Sequence, residues 1–539
     1  KIDRFFKPEY ERDLHDPFLL KDMRLACERI HKAVLAKEKI VIYSDYDVDG
    51  VSAATVLSEY FRGLNSPFEI YLPDRQKEGH GVNQNALEQL AAAGANLIVT
   101  LDCGTTNNKE VQWAKDRGVD MIVVDHHKVI VGRPAAAAFI NPHQTGDSYP
   151  FKDLCGTGLA FKLYLGLTQS SPPTHKASEG KSKWLLDLVA LATVADMVPL
   201  LGENRVFVKY GLFVLAKTKR VGLQMLMESS GIKARHNLET LSTNLDAMTL
   251  GFSLGPRLNA ASRMAHANLA YELLNSPDES KIQELVTTLN QNNRERQRIT
   301  EKILKELDVA ILKRSQIPMF IMEGSPAWPL TLVGLAAAKA SEKYYRPALI
   351  FEKRDDGLCR GSLRSINGFN LIDAFKCVSE YLIKYGGHPS AAGCTFKAEE
   401  EETIREKLNE YAQKILTPEL LRKKLNINAE VSFDEVNWDL MGLLEKFEPF
   451  GMANPKPRFL TKNVGVKKLV LLGQNGAHLK IFARDTKTGR EFPILFFRHN
   501  GLAEDFKIGD TLDVVYELDE NEWDDSKEIQ LKLIDYAKK

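Results

Sequence analysis

The sequence predicts an α/β protein of several domains: a parallel-sheet domain, a long connecting helix, a second α/β domain and a C-terminal β-barrel of OB type. Three observations predict it. Short continuous apolar runs alternate with helical spacing over residues 39–200. A long helical pattern fills residues 278–313. Five strand patterns crowd into residues 463–535. At 539 residues the chain exceeds the ~250–300 at which a single core stops growing.

Each element has a local reason. Residues 39–44 (KIVIYS), 96–101 (NLIVTL) and 120–124 (DMIVV) are apolar without alternation, the pattern of strands buried on both faces of a parallel sheet. Residues 51–64 have helical spacing, and the polar stretch 168–183 reads as an exposed loop. In 278–313 apolar residues recur at Ile282, Leu285, Val286 and Leu289, then at Ile299, Ile303, Leu304 and Leu307. The polar middle, NQNNRERQR, predicts a helix exposed at mid-length, a strut between domains. Residues 318–415 return to strand and helix. The last five strand patterns are joined by turn signals at Gln474-Asn475-Gly476 and DTKTG, residues 485–489.

Lys+Arg and Asp+Glu are equal at 72 each, so net charge neither favours nor excludes nucleic acid and any binding surface must be local. Six cysteines without CxxC spacing exclude a disulfide framework or zinc ribbon and fit a reducing compartment. No apolar run reaches the ~18–20 residues of a membrane span, and the charged start lacks the apolar core of a signal peptide. We expect a cytoplasmic protein with no membrane partner.

The chemistry concentrates in acidic and imidazole side chains. SDYDVDG places Asp45, Asp47 and Asp49 at i, i+2 and i+4, one face of an extended chain, after a buried strand. Three carboxylates so close raise one another's pKa unless a cation neutralises them. A calcium-type loop or a solvated acidic turn remains the alternative on this motif alone. Asp102 closes the next apolar run (LDCG), Asp125, His126 and His127 close the one after (VVDHH), and Asp196 ends an apolar helix (ATVAD). Carboxyl ends of parallel strands share one edge, where ligands bind, so these groups should converge. Mixed carboxylate and imidazole donors suit Mn²⁺, Fe or Zn, whereas Mg²⁺ prefers oxygen. There are enough donors for two ions, and two ions suit hydrolysis at phosphorus. No Ser/His/Asp or Cys/His nucleophile pattern and no GxxxxGK[ST] loop competes.

SDYDVDG, LDCG, VVDHH and ATVAD resemble, in order, the four motifs of the DHH phosphoesterase superfamily. Within it the chain is similar to the single-strand-specific 5′→3′ DNA exonucleases, through PDRQKEGHG, GTGLAF, LGPRLNAASRM, GSLRS, GGHPSAAG and EPFGMANPKPRF. The resemblance implies metal-ligand and catalytic roles for Asp45, Asp47, Asp49, Asp102, His126, His127 and Asp196, with two divalent ions, Mn²⁺ or Mg²⁺. Asp125 would orient a histidine from behind. It implies a DHH catalytic domain over residues 1–204, a helical connector over 205–314, a DHH-associated domain over 315–415 and an OB-fold nucleic-acid-binding domain over 416–539. It departs from the family at His80, where Tyr is usual, and at Trp328-Pro329, where Trp-His is usual; neither is expected to touch the metal set.

The same resemblance implies single-stranded DNA as substrate, mononucleotide products, a role in DNA repair and recombination, and a single-strand-binding protein and a helicase as partners. Arg263, Ser362 and Arg364 would hold the 5′-terminal phosphate, against the plainer reading of surface salt bridges. Gly387 and His388 would approach a phosphate or base, against a tight turn, and Asn259 is a weaker substrate-binding candidate. Residues 456–498 carry ten Lys/Arg against two Asp/Glu, interleaved with Phe482, Phe492, Phe496 and Phe497. These rings either stack on bases or fill the barrel. The acidic run 517–525 should lie away from that groove. The competing readings are a DHH phosphodiesterase of short oligonucleotides or cyclic dinucleotides, and a non-catalytic DNA-binding scaffold.

Overall fold

A computed structural model describes residues 2–171, 181–473, 476–497, 501–523 and 526–539. The chain divides into two compact units. One joins the N-terminal segment up to Leu14, Pro199–Lys209 and Lys424–Lys539; the other joins His15–Val198 and Tyr210–Lys423. Residues 2–14 and 199–209, read above with the first two domains, therefore pack in the unit of the C-terminal strands. Arg205 shows why: buried in that unit, it donates to the carbonyls of Phe5 (2.8 Å) and Glu448 (2.6 Å).

The larger unit opens with a five-stranded parallel sheet: β1 (Ile40–Ser44), β2 (Glu69–Tyr71), β3 (Leu97–Leu101), β4 (Asp120–Val124) and β5 (Ala138–Ile140), in the order β2-β1-β3-β4-β5. Every residue of β1 and β3 is buried, as their unbroken apolarity requires. On one face Val41, Tyr43, Ile98, Met121 and Val123 share a core with Leu87, Leu90 and Val111. Helices α1 (Val48–Gly63), α2 (Gly156–Ser170) and α3 (Leu186–Ala195) pack with one another as a buried layer. The order reverses between β1 and β3, and the crevice at such a reversal is where open α/β sheets bind ligands. Most of the loop expected over 168–183 lies outside the described residues; residues 168–170 close α2.

Helix α4 (Gly255–Met264) packs on the long helix α5 (Glu279–Leu312), capped by Asp278, whose carboxylate accepts the N–H groups of Ser280 and Lys281. The expectation of a helix exposed at mid-length holds in part: Gln291, Arg294, Gln297 and Arg298 are exposed, but the run also packs. Asn293 is buried there, and Asn290 accepts from Arg257 Nε (2.8 Å) and donates to Ser229 (2.9 Å). One side of the polar run is a packed polar seam, and beyond it Ile303, Leu307 and Ile311 pack with Leu332 and Ile350, so the helix connects the helical region to the second sheet.

The second sheet holds β6 (Ile321–Ser325), β7 (Ala348–Lys353), β8 (Leu358–Arg364), β9 (Leu382–Gly387) and β10 (Ala391–Lys397), in the order β9-β10-β8-β7-β6. Only β6 and β7 run parallel. Helix α6 (Leu330–Tyr344) covers one face through Leu332, Val333 and Ala336, which meet Ile321 and Ile350.

In the smaller unit, β11 (Ala429–Glu430), β12 (Arg458–Leu472), β13 (His478–Asp485), β14 (Glu491–Phe497), β15 (Thr511–Trp523) and β16 (Ser526–Lys538) pair in the order β11-β12-β13-β14-β16-β15. β12 also pairs with β15. This is the OB arrangement around a core that includes Val464, Ile481, Ile494, Val514 and Leu531. The turn at Gly489 (φ 78°) closes as its DTKTG sequence predicts, with Asp485 accepting from Lys487 N–H; residues 474–475 lie outside the described residues.

Candidate functional site

Three carboxylates stand one residue beyond three adjacent strands, and each extends the ladder. Asp45 N–H donates to Leu101 O, Asp102 N–H to Val124 O and Asp125 N–H to Ile140 O, at 2.9–3.2 Å. Close approach then demands glycine. A Cβ on Gly50 would sit 2.2 Å from the Asp45 carbonyl, and one on Gly156 would sit 2.6 Å from Asp102 Cβ. Asp102 itself is held at φ 59°, a left-handed backbone rare outside glycine.

The structure brings Asp45, Asp47, Asp49, Asp102, Asp125, His126, His127 and Asp196 together at this edge. Ligand atoms of Asp45, Asp47 and Asp102 lie within 4.8 Å of one another, as do those of Asp49, His126 and Asp196, and those of Asp102, Asp125, His126 and His127. His126 Nε2 is 3.1 Å from Asp102 Oδ1, 3.7 Å from Asp196 Oδ2 and 3.9 Å from Asp49 Oδ2.

These groups differ in how far the protein satisfies them. Asp49 accepts the N–H groups of Gly156 and Thr157 at the start of α2, both at 2.7 Å. Asp125 accepts from His126 N–H (2.8 Å) and Thr105 N–H (2.9 Å) and meets His127 Nδ1 at 2.7 Å. Asp47 caps α1, accepting from the N–H groups of Asp49 and Gly50 through one oxygen. By contrast Asp45 Oδ1, Asp102 Oδ1 and His126 Nε2 are buried without a hydrogen-bond partner.

The electrostatics follow. Burial and the neighbouring carboxylates, Asp49 foremost, push Asp102 far above the carboxylate range. The same causes raise Asp196 to about 9, while burial with Asp45 and Asp49 raises Asp47 to about 6. Burial and His127 keep the His126 imidazole neutral to lower pH than usual. Burial opposes ionisation of Asp125, but the His127 ring outweighs it and holds that carboxyl well below its ordinary value. A buried crowd of acids with unmet oxygens beside an unbonded imidazole nitrogen fits divalent cations.

His80 corrects the sequence reading. Its Nδ1 lies 3.2 Å from Asp45 Oδ1, and its ring centre is 5.2 Å from that of His127. It touches the acidic set after all. Burial lowers its pKa, but Asp45 outweighs this and raises it to about 9.

On the neighbouring sheet, Ser362 and Arg364 stand on the face of β8 that meets α6. The side chain of each lies within about 3.5 Å of where a Cβ on Gly334 would stand. Arg263, on α4, donates to Thr331 O (2.9 Å) at the start of α6. Burial together with Arg75 and Arg296 lowers Arg263 to about 9, and burial with Arg75 lowers Arg364. Sequence reasoning quoted the stretch holding Arg75 without giving that residue a role. Its guanidinium stacks 4.7 Å over Tyr46, between the acids and the arginines. The loop has no periodicity to announce this. Likewise Asn141, which follows β5 and ties Thr105 to the His127 carbonyl, had no signal beyond its strand-end position.

Asn259 Oδ1 accepts Val48 N–H (3.1 Å), bracing the acidic loop. Gly387 (φ 141°) and His388 form a tight hairpin in which His388 N–H donates to Ala391 O (2.8 Å). A Cβ on Gly387 would meet Ala392 Cα at 2.5 Å. That hairpin continues the row of Ser362, Gly393 and Gly386 across β8, β10 and β9.

In the OB unit, alternation sorts the rings. Phe492 is in the core and Phe496 packs against it. Phe482 lies outside, with Lys468 and Lys480 over its ring at 5.5 and 5.3 Å. Phe497 is exposed beside His478 and 5.9 Å from Lys532. The acidic run expected to lie apart meets this face: Asp519 pairs with Lys532.

The matches to known proteins divide along the same lines. Residues 39–193 match the model described as DHH family, N-terminal domain; 318–414 match the DHHA1 domain; and 427–535 match the RecJ OB domain. Fold and site thus define a DHH-type phosphoesterase architecture carrying an OB domain. The single-stranded-DNA-specific exonuclease RecJ of Bacillus subtilis (strain 168) is 35% identical over 535 residues, 99% of this chain and 66% of that protein. The one from Dickeya dadantii (strain 3937) is 31% identical, covering 97% and 91%. The chain belongs to the RecJ family. It spans about two thirds of the Bacillus protein's length. Among solved structures, RecJ in complex with Mn²⁺ from Thermus thermophilus superposes with a TM-score of 0.82 at 25% identity, over 100% of this chain and 74% of that one. Exonuclease RecJ bound to manganese gives 0.62 at 29% identity, over 75% and 97%.

Proposed function

We propose that the chain is a metal-dependent exonuclease that removes mononucleotides from the 5′ end of single-stranded DNA. The observation that carries it is the meeting of Asp45, Asp47, Asp102, Asp196 and His126 at the sheet's reversal point, with Asp45 Oδ1, Asp102 Oδ1 and His126 Nε2 buried and unsatisfied. Asp45, Asp47, Asp49, Asp102, His126, His127 and Asp196 would hold two Mn²⁺ or Mg²⁺ ions. When bound, such ions neutralise charge on a phosphodiester and activate the attacking water. The chain's own residues do the rest. Asp125 fixes the His127 ring through Nδ1, leaving Nε2 as the ring's donor to an ion. Asp49 is tied to the start of α2 by two backbone N–H groups.

Arg263, Ser362 and Arg364 would grip a terminal phosphate, with Arg75 between that grip and the acids. Gly387 and His388 would border the same path and Asn259 would brace the acidic loop. Phe482 and Phe497, with Lys468, Lys480 and Lys532, offer stacking and charge to a single strand without reading its sequence. The four segments 1–204, 205–314, 315–415 and 416–539 remain our functional division of the chain. A helicase and a single-strand-binding protein would supply free single strands in DNA repair and recombination. A reducing cytoplasm suits the six free thiols. No helix of the described residues is long and apolar enough to cross a membrane.

The test is degradation of a 5′-phosphorylated oligonucleotide with Mn²⁺, beside a blunt duplex and a dinucleotide. We expect the long single strand to be consumed from its 5′ end and Asp102→Ala to lose cleavage while binding DNA. Preference for the dinucleotide would favour the short-oligonucleotide reading, and normal cleavage by Asp102→Ala would remove the site.

A further inference from the structure

The six residues before α4, Thr249–Leu254, form a π-helical turn that runs straight into Gly255. A π turn inserts an extra residue into the helical course, and such turns concentrate at functional sites. Two glycines set this course close against the end of α3. A Cβ on Gly251 would stand 3.4 Å from Val194 Cγ1, and one on Gly255 3.6 Å from Ala195 Cβ. The next residue of that chain is Asp196, of the acidic centre. Leu250 and Leu254 are buried, while Phe252 between them is 73% exposed. Met248, four residues before Phe252 and so on the same helical face, is exposed, as is Met197, one residue beyond Asp196 and held at φ 59°. Exposed large apolar side chains beside a cluster of acids are an unusual surface for a protein to keep.

The same helical course lines the site from end to end. Gly255 lies against Ala195, beside Asp196. Asn259, one turn on, accepts Val48 N–H of the acidic loop (3.1 Å). Arg263, one turn further, donates to Thr331 O of α6, the helix against which Ser362 and Arg364 stand. Steps of four residues put these three on one stripe. At 1.5 Å per residue, Phe252 stands roughly 16 Å along the axis from Arg263, with the acids between. A strand whose 5′ phosphate is gripped at Arg263, and whose first phosphodiester bond lies over the acids, has the rest of its length to place past the far end of the stripe. We propose that Phe252 is the stacking platform for the bases beyond the second nucleotide, bordered by Met248 and Met197, and that it makes the chain favour long single strands over dinucleotides. An aromatic ring accepts any base that has a free face, so the platform reads no sequence. Stacked nucleotides rise only ~3.4 Å each, so a dinucleotide held at Arg263 stops short of the ring. The inference rests on the exonuclease reading and adds the path by which the strand enters.

The test is kcat/KM of the full chain with Mn²⁺ on a long 5′-phosphorylated strand and on a 5′-phosphorylated dinucleotide, for wild type, Phe252→Ala and Phe252→Trp. A second long strand carries abasic sites at its third to fifth nucleotides. Phe252→Ala should lower the ratio of the long-strand value to the dinucleotide value by about tenfold, through KM, and Phe252→Trp should restore it. The abasic strand should cost the wild type a similar factor and cost Phe252→Ala nothing further. A ratio that stays within about twofold, or an abasic penalty equal in the two proteins, overturns the proposal. So does an unmoved ratio with a dimer that Phe252→Ala dissociates in sedimentation, which gives the patch to a second copy. Because Phe252 is exposed, the variants should melt as the wild type does; should Phe252→Ala not fold, Phe252→Leu decides by the same ratio. A wild type that leaves the long strand intact would overturn the exonuclease reading itself, whereas degradation with an unmoved ratio removes only the platform.

Discussion

The centre should make the ion-free protein less stable as pH rises, and the effect can be sized. Asp196 is raised from 3.8 to about 9 and Asp47 to about 6. Both are carboxyls raised in the folded chain, so the folded state keeps a proton that the unfolded state has shed. Their contribution is fully present below about 3.8 and is lost as pH climbs toward 6 for Asp47 and 9 for Asp196. Between pH 6 and pH 8 Asp196 by itself accounts for about one proton, and Asp102, also raised, adds with the same sign. At about 1.4 kcal/mol per pH unit this is about 3 kcal/mol. A cooperative unit above 150 residues shifts by ~2–4 °C per kcal/mol, so the midpoint should fall by roughly 5–10 °C. His80, raised to about 9 by Asp45, adds with the same sign. Divalent ions bind the deprotonated carboxylates and reverse the loss, adding about 2.7 kcal/mol per ion at a hundredfold excess over Kd. The assay is thermal unfolding at pH 6 and pH 8, with chelator or with Mn²⁺. We expect a lower chelated midpoint at pH 8 and a larger Mn²⁺ gain there. A chelated midpoint that holds or rises from pH 6 to pH 8 would refute the reasoning.

Three further outcomes follow from other parts of the molecule. Arg263→Gln or Arg364→Gln should cut the preference for a 5′-phosphorylated over a 5′-hydroxyl strand by about 10- to 100-fold, since a hydrogen bond to a charged group contributes ~1.5–3 kcal/mol; kcat/KM on the two substrates measures it. Phe482→Ala and Phe497→Ala should each weaken single-strand binding by about 1–3 kcal/mol, read by fluorescence anisotropy, and leave dinucleotide hydrolysis unchanged. Gly156→Ala should lower stability by ~1–3 kcal/mol and weaken Mn²⁺ binding, because the added methyl meets Asp102 at 2.6 Å; melting and metal titration report both.

The part of this centre legible in the sequence was the part governed by strand ends. Unbroken apolar runs mark strands buried on both faces, and parallel topology sends their carboxyl ends to one edge, so Asp45, Asp102 and Asp125 could be placed together before any coordinates. Strands β2 (EIY) and β5 (AFI) were not legible, because three residues carry no period. With β5 unseen, Asn141 had no address. His80 lies in an aperiodic loop whose path no local rule fixes. The middle of α5 was half legible: NQNNRERQR is polar by composition and much of it is exposed, yet Asn293 is buried and Asn290 accepts from Arg257 of α4. For the OB strands the period-2 rule fixed which rings alternate but not which set faces in; that was decided by the core around Ile481 and Ile494.

A buried acid is not by itself a metal ligand, and this chain holds its own control. Asp187, buried on α3, is also pushed upward by burial, yet its oxygens are occupied: it accepts from Thr218 Oγ1 (2.6 Å) and Leu188 N–H (2.7 Å) and lies 3.5 Å from Arg220 Nε. That is how the protein buries a carboxylate it needs only for packing. Asp125 is held likewise, through backbone N–H groups and a histidine, and Asp49 accepts one backbone N–H on each oxygen while still standing beside His126 and Asp196. Asp102 is not: its Oδ1 is buried with no hydrogen-bond partner, and His126 Nε2 beside it is equally unmet, while Asp45 Oδ1 has only the loop imidazole of His80 at 3.2 Å. Leaving a buried polar group unpaired costs about 1–3 kcal/mol, more when it is charged. A cation at the centre would complete these atoms, whereas Asp187 needs none.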